Sequence, residues 1–127
     1  VGTLVTRGIR ITAQPRFEPA HSDPKAERWL FSYRITIANQ GTEAVQLLRR
    51  EWVIRDSLAA GRQVQGDGVV GLQPIIAPGG EFSYSSACDL RSAFGRMDGR
   101  YVMQLGNGSE FTVDIPVMHL AAPLACN

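Results

Sequence analysis

Apolar and polar residues alternate with a period of two over much of this chain. The strongest run is Trp29–Ala38, where Trp29, Phe31, Tyr33, Ile35 and Ile37 share one phase and Leu30, Ser32, Arg34, Thr36 and Ala38 the other. That period belongs to a half-buried antiparallel strand, and Asn39-Gln40-Gly41-Thr42 supplies the turn that ends it. Leu4–Ala13 predicts an earlier strand, with Val5, Ile9 and Ile11 on one face and Thr6, Arg10 and Thr12 on the other. Between the two, Gln14–Arg28 reads as a polar loop in which Pro15, Pro19 and Pro24 argue against a helix. Val45–Asp56 predicts a third strand whose phase slips from Val45 and Leu47 to Leu48, Trp52 and Ile54. A β-bulge near Arg49 and Arg50 reconciles the two halves. A helix competes for this stretch, but its turn-like flanks and β-branched Val53 and Ile54 favour the strand.

Ser57–Pro78 reads as mostly loop, rich in glycine and closed by Pro74 and Pro78. Alternation returns in Glu81–Cys88, where Phe82 and Tyr84 oppose Ser83 and Ser85, and in Gly99–Leu105, where Tyr101, Met103 and Leu105 share a face. Gly106-Asn107-Gly108 is a hairpin signal. Glu110–Ile115 completes that hairpin with Phe111, Val113 and Ile115 inward, and Pro116 ends its central part. Short alternating strands without an amphipathic helix predict an all-β fold: a two-sheet antiparallel sandwich of the immunoglobulin or fibronectin type III kind. Phe31, Tyr33, Ile35, Trp52, Phe82, Tyr101, Met103, Phe111 and Val113 are expected to meet between the sheets. An exposed Trp52 would mark a binding surface instead; the core is the better place for so large an aromatic.

The composition narrows the function without naming it. A chain of 127 residues, with no repeat or linker, is expected to form one domain over residues 1–127. An apolar fraction of 44% with 20% charged residues suits a packed core. Thirteen basic residues against twelve acidic ones leave no basic excess, so nucleic acid is not an expected partner. No apolar run reaches the about 18 residues of a membrane span. No basic segment followed by an apolar stretch marks a secretory signal. Cys88 and Cys126 stand far apart and are expected to be free thiols in a reducing compartment, and a cytoplasmic location follows by elimination.

Gly66-Asp67-Gly68-Val69-Val70-Gly71 spells GxGxxG. In a dinucleotide fold this pattern opens a helix whose N-terminus holds a pyrophosphate. Here Pro74 and Pro78 follow, which forbids that helix. Two readings remain: a loop whose glycines serve positive φ, or a nest of backbone N–H groups that holds an anion weakly and in a salt-sensitive way. Arg49, Arg50 and Arg62, with Arg55 near them, form a basic cluster beside this loop. They are either a solvated edge answered by Glu51 and Asp56 or the arginines of that anion site. His21 and His119 read as exposed histidines and Cys88 as a buried, inert thiol, so no catalytic or metal residue is assigned and no cofactor is expected. A weak magnesium site would need only one or two carboxylates.

Four blocks in order resemble the ApaG family, also called CorD. Gln46–Asp56 (QLLRREWVIRD) is similar to its QLLxRxWxIxD stretch, and Gly66–Pro74 (GDGVVGLQP) to its GxGVVGxQP loop. Pro78–Tyr84 and Gly95–Tyr101 resemble two further blocks, and the likeness runs from Leu4 to Leu124. The resemblance implies a fibronectin-type sandwich with no enzymatic activity. It implies a bacterial protein associated with magnesium and cobalt homeostasis and with a dinucleoside tetraphosphate hydrolase. Similar eukaryotic domains, on an F-box protein and a DNA polymerase-interacting protein, suggest protein binding. The residue before Trp52 is often His in the family and is Glu51 here, so no histidine chemistry carries over. The sequence therefore favours a non-catalytic interaction module with a protein partner. The alternative is a weak phosphate or nucleotide sensor built on Gly66–Gly71, Arg49, Arg50 and Arg62.

Overall fold

The computed structural model describes residues 1–123, so Cys126 lies outside the described residues. Among the described residues nine strands form two antiparallel sheets: β1 (Gly2–Thr6), β2 (Ile9–Phe17), β3 (Trp29–Asn39), β4 (Val45–Asp56), β5 (Arg62–Asp67), β6 (Ile75–Ile76), β7 (Glu81–Leu90), β8 (Phe94–Leu105) and β9 (Glu110–Ala121). One sheet has the order β1-β2-β3-β7 and the other β5-β4-β8-β9, with β6 paired to the early part of β4. The chain crosses between sheets after β3, before β7 and after β7, which makes the sandwich that the alternation predicts.

The structure redraws several boundaries. Leu4–Ala13 is a hairpin rather than one strand: β1 and β2 are joined by Arg7 and Gly8, both at positive φ (51° and 81°). β2 then runs on through Pro15, where β1 no longer flanks it, so the missing N–H breaks no ladder on that side. Only short 3-10 turns at Pro19–His21 and Pro24–Ala26 interrupt the loop that follows. The bulge in β4 falls on Leu48, since Leu47 faces Met103 and Arg49 faces Val102. The stretch read as loop holds β5 and β6. Pro116 does not end β9. Pro116 and Val117 together oppose Asp98, a bulge that needs no N–H from proline and moves the inward phase from Val113 and Ile115 to Met118 and Leu120.

Ile9, Ile11, Phe31, Ile35, Ile37 and Leu47 are fully enclosed, as are Tyr101, Met103 and Val113. Trp52 is buried too, its ring 5.7 Å from that of Tyr33 in an edge-to-face contact. Gly99 on β8 is what lets it lie there, because a Cβ at Gly99 would meet the six-membered ring of Trp52. Phe82 and Phe111, expected between the sheets with the others, pack against this core as partly buried rings at its margin. The Arg7 guanidinium covers the Phe111 ring at 4.9 Å. Phe111→Ala should therefore cost about 1–3 kcal/mol, below the about 3–5 of a fully buried ring. Urea unfolding followed by circular dichroism measures this directly.

Candidate functional site

Each glycine of the GxGxxG stretch answers a local need. Gly66 lies in β5, and the Arg50 guanidinium occupies the place of its side chain, 2.9–3.0 Å from where a Cβ would sit. Arg50 Nη1 donates to the carbonyls of Asp67 (3.0 Å) and Gly68 (2.9 Å). Gly68 has φ 63°, and a Cβ there would run into the Leu72 carbonyl. Val70 (φ 45°) and Gly71 (φ 79°) form a tight turn closed by two 2.8 Å bonds between the backbones of Val69 and Leu72. The Gly68 N–H donates to Leu48 O at 2.8 Å, and Val69 is wholly buried. The segment is thus an anchored excursion between β5 and β6, not a wholly exposed loop. Its exposed tip is Val70 and Gly71.

The arginines part company because strand neighbours point to opposite faces. Arg49 lies outward and pairs with Glu110 at 3.0 Å. Arg55, also outward, pairs with Asp98 at 2.6 Å. Arg50 shares the inward phase of Trp52 and Ile54, as the Leu48 bulge dictates. Arg62 reaches from β5 across to β7, where it donates to the Asp89 carbonyl and, at 3.4 Å, to Cys88 Sγ. Arg50 and Arg62 therefore flank one cleft between β5 and β7, and Arg49 is not part of it.

That cleft consists of two adjoining cavities of about 400 and 250 Å³ that share Tyr33, Arg50 and Ser86. Asp67, Val69, Val70, Gly71 and Tyr84 complete the first, while Arg62 and Cys88 line the second. Below it the hydroxyls of Tyr84 and Tyr101 bond to each other, and burial pushes both well above the ordinary tyrosine range. Burial also raises the Cys88 thiol, against the pull of Arg62, so the thiol stays protonated near neutrality. Tyr84→Phe should cost about 1–3 kcal/mol by leaving the Tyr101 hydroxyl without its partner. Adding Tyr101→Phe should cost less than the sum of the two single changes, and a double-mutant cycle measures the difference. His21 and His119 are both exposed. Among the described residues no cluster of three or more His, Cys, Asp or Glu side chains is placed to hold a metal ion.

A second concavity lies on the outer face of the β5-β4-β8-β9 sheet and reaches about 520 Å³. Val53 lies on its β4 side, Gln63 and Gln65 on its β5 side, Val117 on its β9 side, and Leu4 of β1 at its far edge. Its charged residues are Glu51, Asp98, Asp114 and Arg100. Glu51 pairs with Arg100 at 3.0 Å, and Asp98 with Arg55 and Arg96, while Asp114 enters no ion pair among the described residues. The pattern of residues along the chain does not mark this groove. Its one local signal was Val53, an apolar residue on the outward phase between Trp52 and Ile54.

The ApaG domain profile matches residues 19–105. The chain belongs to the ApaG domain family. It is 48% identical to Protein ApaG of Brucella anthropi over 119 residues, which cover 94% of this chain and 92% of the relative. It is 42% identical to Protein ApaG of Brucella abortus over 121 residues, covering 95% and 93%. The crystal structure of an ApaA protein from Bordetella pertussis superposes with a TM-score of 0.87 at 38% identity, covering 92% of this chain and 95% of that one. None of these names specifies a reaction. In the ApaG fold the motif blocks are neighbours: QLLRREWVIRD is β4 with its bulge, and GDGVVGLQP is the excursion that β4 anchors through Arg50 and Leu48. Glu51 of the first block faces the outer groove. Among the described residues no helix is long and apolar enough to cross a membrane.

Proposed function

We propose that this ApaG domain is a non-catalytic interaction module whose outer groove receives a segment of a protein partner. The groove on the β5-β4-β8-β9 sheet is the observation that carries this reading. It combines apolar contacts at Leu4, Val53 and Val117, amide side chains at Gln63 and Gln65, and three carboxylates against one guanidinium. Arg55 and Arg96 answer Asp98, and Arg100, opposite Asp114 in the β8–β9 register, turns to Glu51, so Asp114, beside Val117, is the groove carboxylate without an ion pair among the described residues. A polypeptide segment with an apolar anchor and a lysine or arginine near it matches that layout. Any part in magnesium and cobalt homeostasis then runs through the bound partner.

Titrating the ¹⁵N-labelled protein with a capped lysine–leucine hexapeptide tests this. Amide shifts should gather on Val53, Gln63, Gln65, Asp114 and Val117, and the glutamate–leucine counterpart should leave them in place. Equal shifts with both peptides, or shifts scattered over the other sheet, would refute the docking face.

A further inference from the structure

We propose that the cleft between β5 and β7 binds a small organic anion, a carboxylate or phosphate on an apolar or aromatic body, through Arg50. This site is separate from the outer groove and does not depend on it. Arg50 is half-buried, lies flat on Gly66 and spends Nη1 on two backbone carbonyls. Its Nε and Nη2 enter no hydrogen bond, and its charge meets no carboxylate within ion-pair range, among the described residues. Arg62 at the other end of the cleft differs, since it is matched by Asp89. These free N–H groups are open to solvent, since no buried side-chain nitrogen among the described residues lacks a partner, so the half-buried guanidinium is fixed by its two carbonyl bonds with donors still available to a ligand. An anion entering the cleft completes the pairing with a charge-assisted bond.

The surroundings narrow the ligand class. Tyr33 and Ser86 offer hydroxyls next to Arg50, and the exposed Val70 and Gly71 stand at the rim. The Tyr84 ring and Val70 offer apolar wall for the body that carries the anion. About 400 Å³ lies at the small end of ligand pockets. Asp67 lines the same cavity and disfavours a polyphosphate, so a singly or doubly charged ligand fits better than a nucleotide.

Benzoate, phenyl phosphate and the neutral isostere benzamide are the probes, each titrated into the ¹⁵N-labelled protein at fixed ionic strength. Both anions should shift the Arg50 Nε–H signal and the amides of Ser86, Val70 and Gly71, with benzamide binding at least about tenfold more weakly. The tighter of the two anions tells a carboxylate source from a phosphate one. Ser86→Ala, which leaves the Arg50 clip intact, should weaken the better anion about fivefold, and Arg50→Met should abolish the response. Should Arg50→Met unfold, Ser86→Ala and the benzamide comparison decide alone. Benzamide binding as well as benzoate, no shift at Arg50 and Ser86, or undiminished affinity in Ser86→Ala would each overturn the proposal.

Discussion

Trp52→Ala should lower the stability of the domain by about 3–5 kcal/mol. Trp52 is 3% exposed. Its ring fills the space that Gly99 leaves open on β8 and meets Tyr33 of the opposite sheet edge-on. Truncation removes contacts to both sheets at once, and the rigid backbones of β4 and β8 limit collapse into the cavity. The reciprocal change argues the same geometry. Gly99→Val in the parent should be strongly destabilising, because the new side chain meets the ring. In the Trp52→Ala background it should cost much less, since the space is then empty. Urea unfolding read by circular dichroism gives all four corners of this cycle. A Trp52→Ala midpoint close to the parent, or additive costs, would contradict the packing described.

Gly68→Ala should cost about 2–4 kcal/mol, whereas Gly71→Asn should stay within about 0.5. Both glycines sit at positive φ, but their surroundings differ. At Gly68 a Cβ collides with the backbone carbonyl of Leu72, which is held in the turn bonded to Val69 and cannot swing away as a flexible side chain would. At Gly71 nothing lies within 4 Å, and asparagine tolerates left-handed backbone at the second position of such a turn. Thermal denaturation of the two variants separates conformational need from open space within one motif. Equal losses at both positions would mean that the turn, rather than the Leu72 contact, sets the requirement.

What was legible in the sequence follows from how local each signal is. The run from Trp29 to Ala38 announced β3 because one strand buried on one face writes its own period. The β1–β2 hairpin was not legible, because its turn at Arg7-Gly8 lacks an Asn-Gly pair and the odd spacing of Val5, Ile9 and Ile11 imitates one strand; in the hairpin Val5 opposes Arg10 and is exposed, off the buried face of Ile9 and Ile11. Pro116 looked like a strand end because its tolerance depends on a bulge opposite Asp98, which only the pairing with β8 reveals. The GxGxxG stretch was correctly separated from a helix-opening loop by Pro74 and Pro78. Which arginine accompanies it was settled by the extra residue at Leu48, which sends Arg50 inward and Arg49 outward. The cleft also needs Tyr33, Tyr84 and Ser86 from strands distant in sequence. The groove needs residues of five strands, β1, β4, β5, β8 and β9, which only the pairing brings together.

The affinity of the capped lysine–leucine peptide for two surface variants tests the interaction reading most directly. Val117→Lys places a cation beside Asp114 and removes an apolar contact in the groove, while Ser85→Lys places the same charge on exposed β7 of the other sheet. The account predicts that Val117→Lys weakens binding about tenfold or more, through the lost apolar contact and repulsion of the peptide's lysines, and that Ser85→Lys weakens it by less than about twofold. Equal affinity for the parent and Val117→Lys, with both variants folded, would contradict docking on this face.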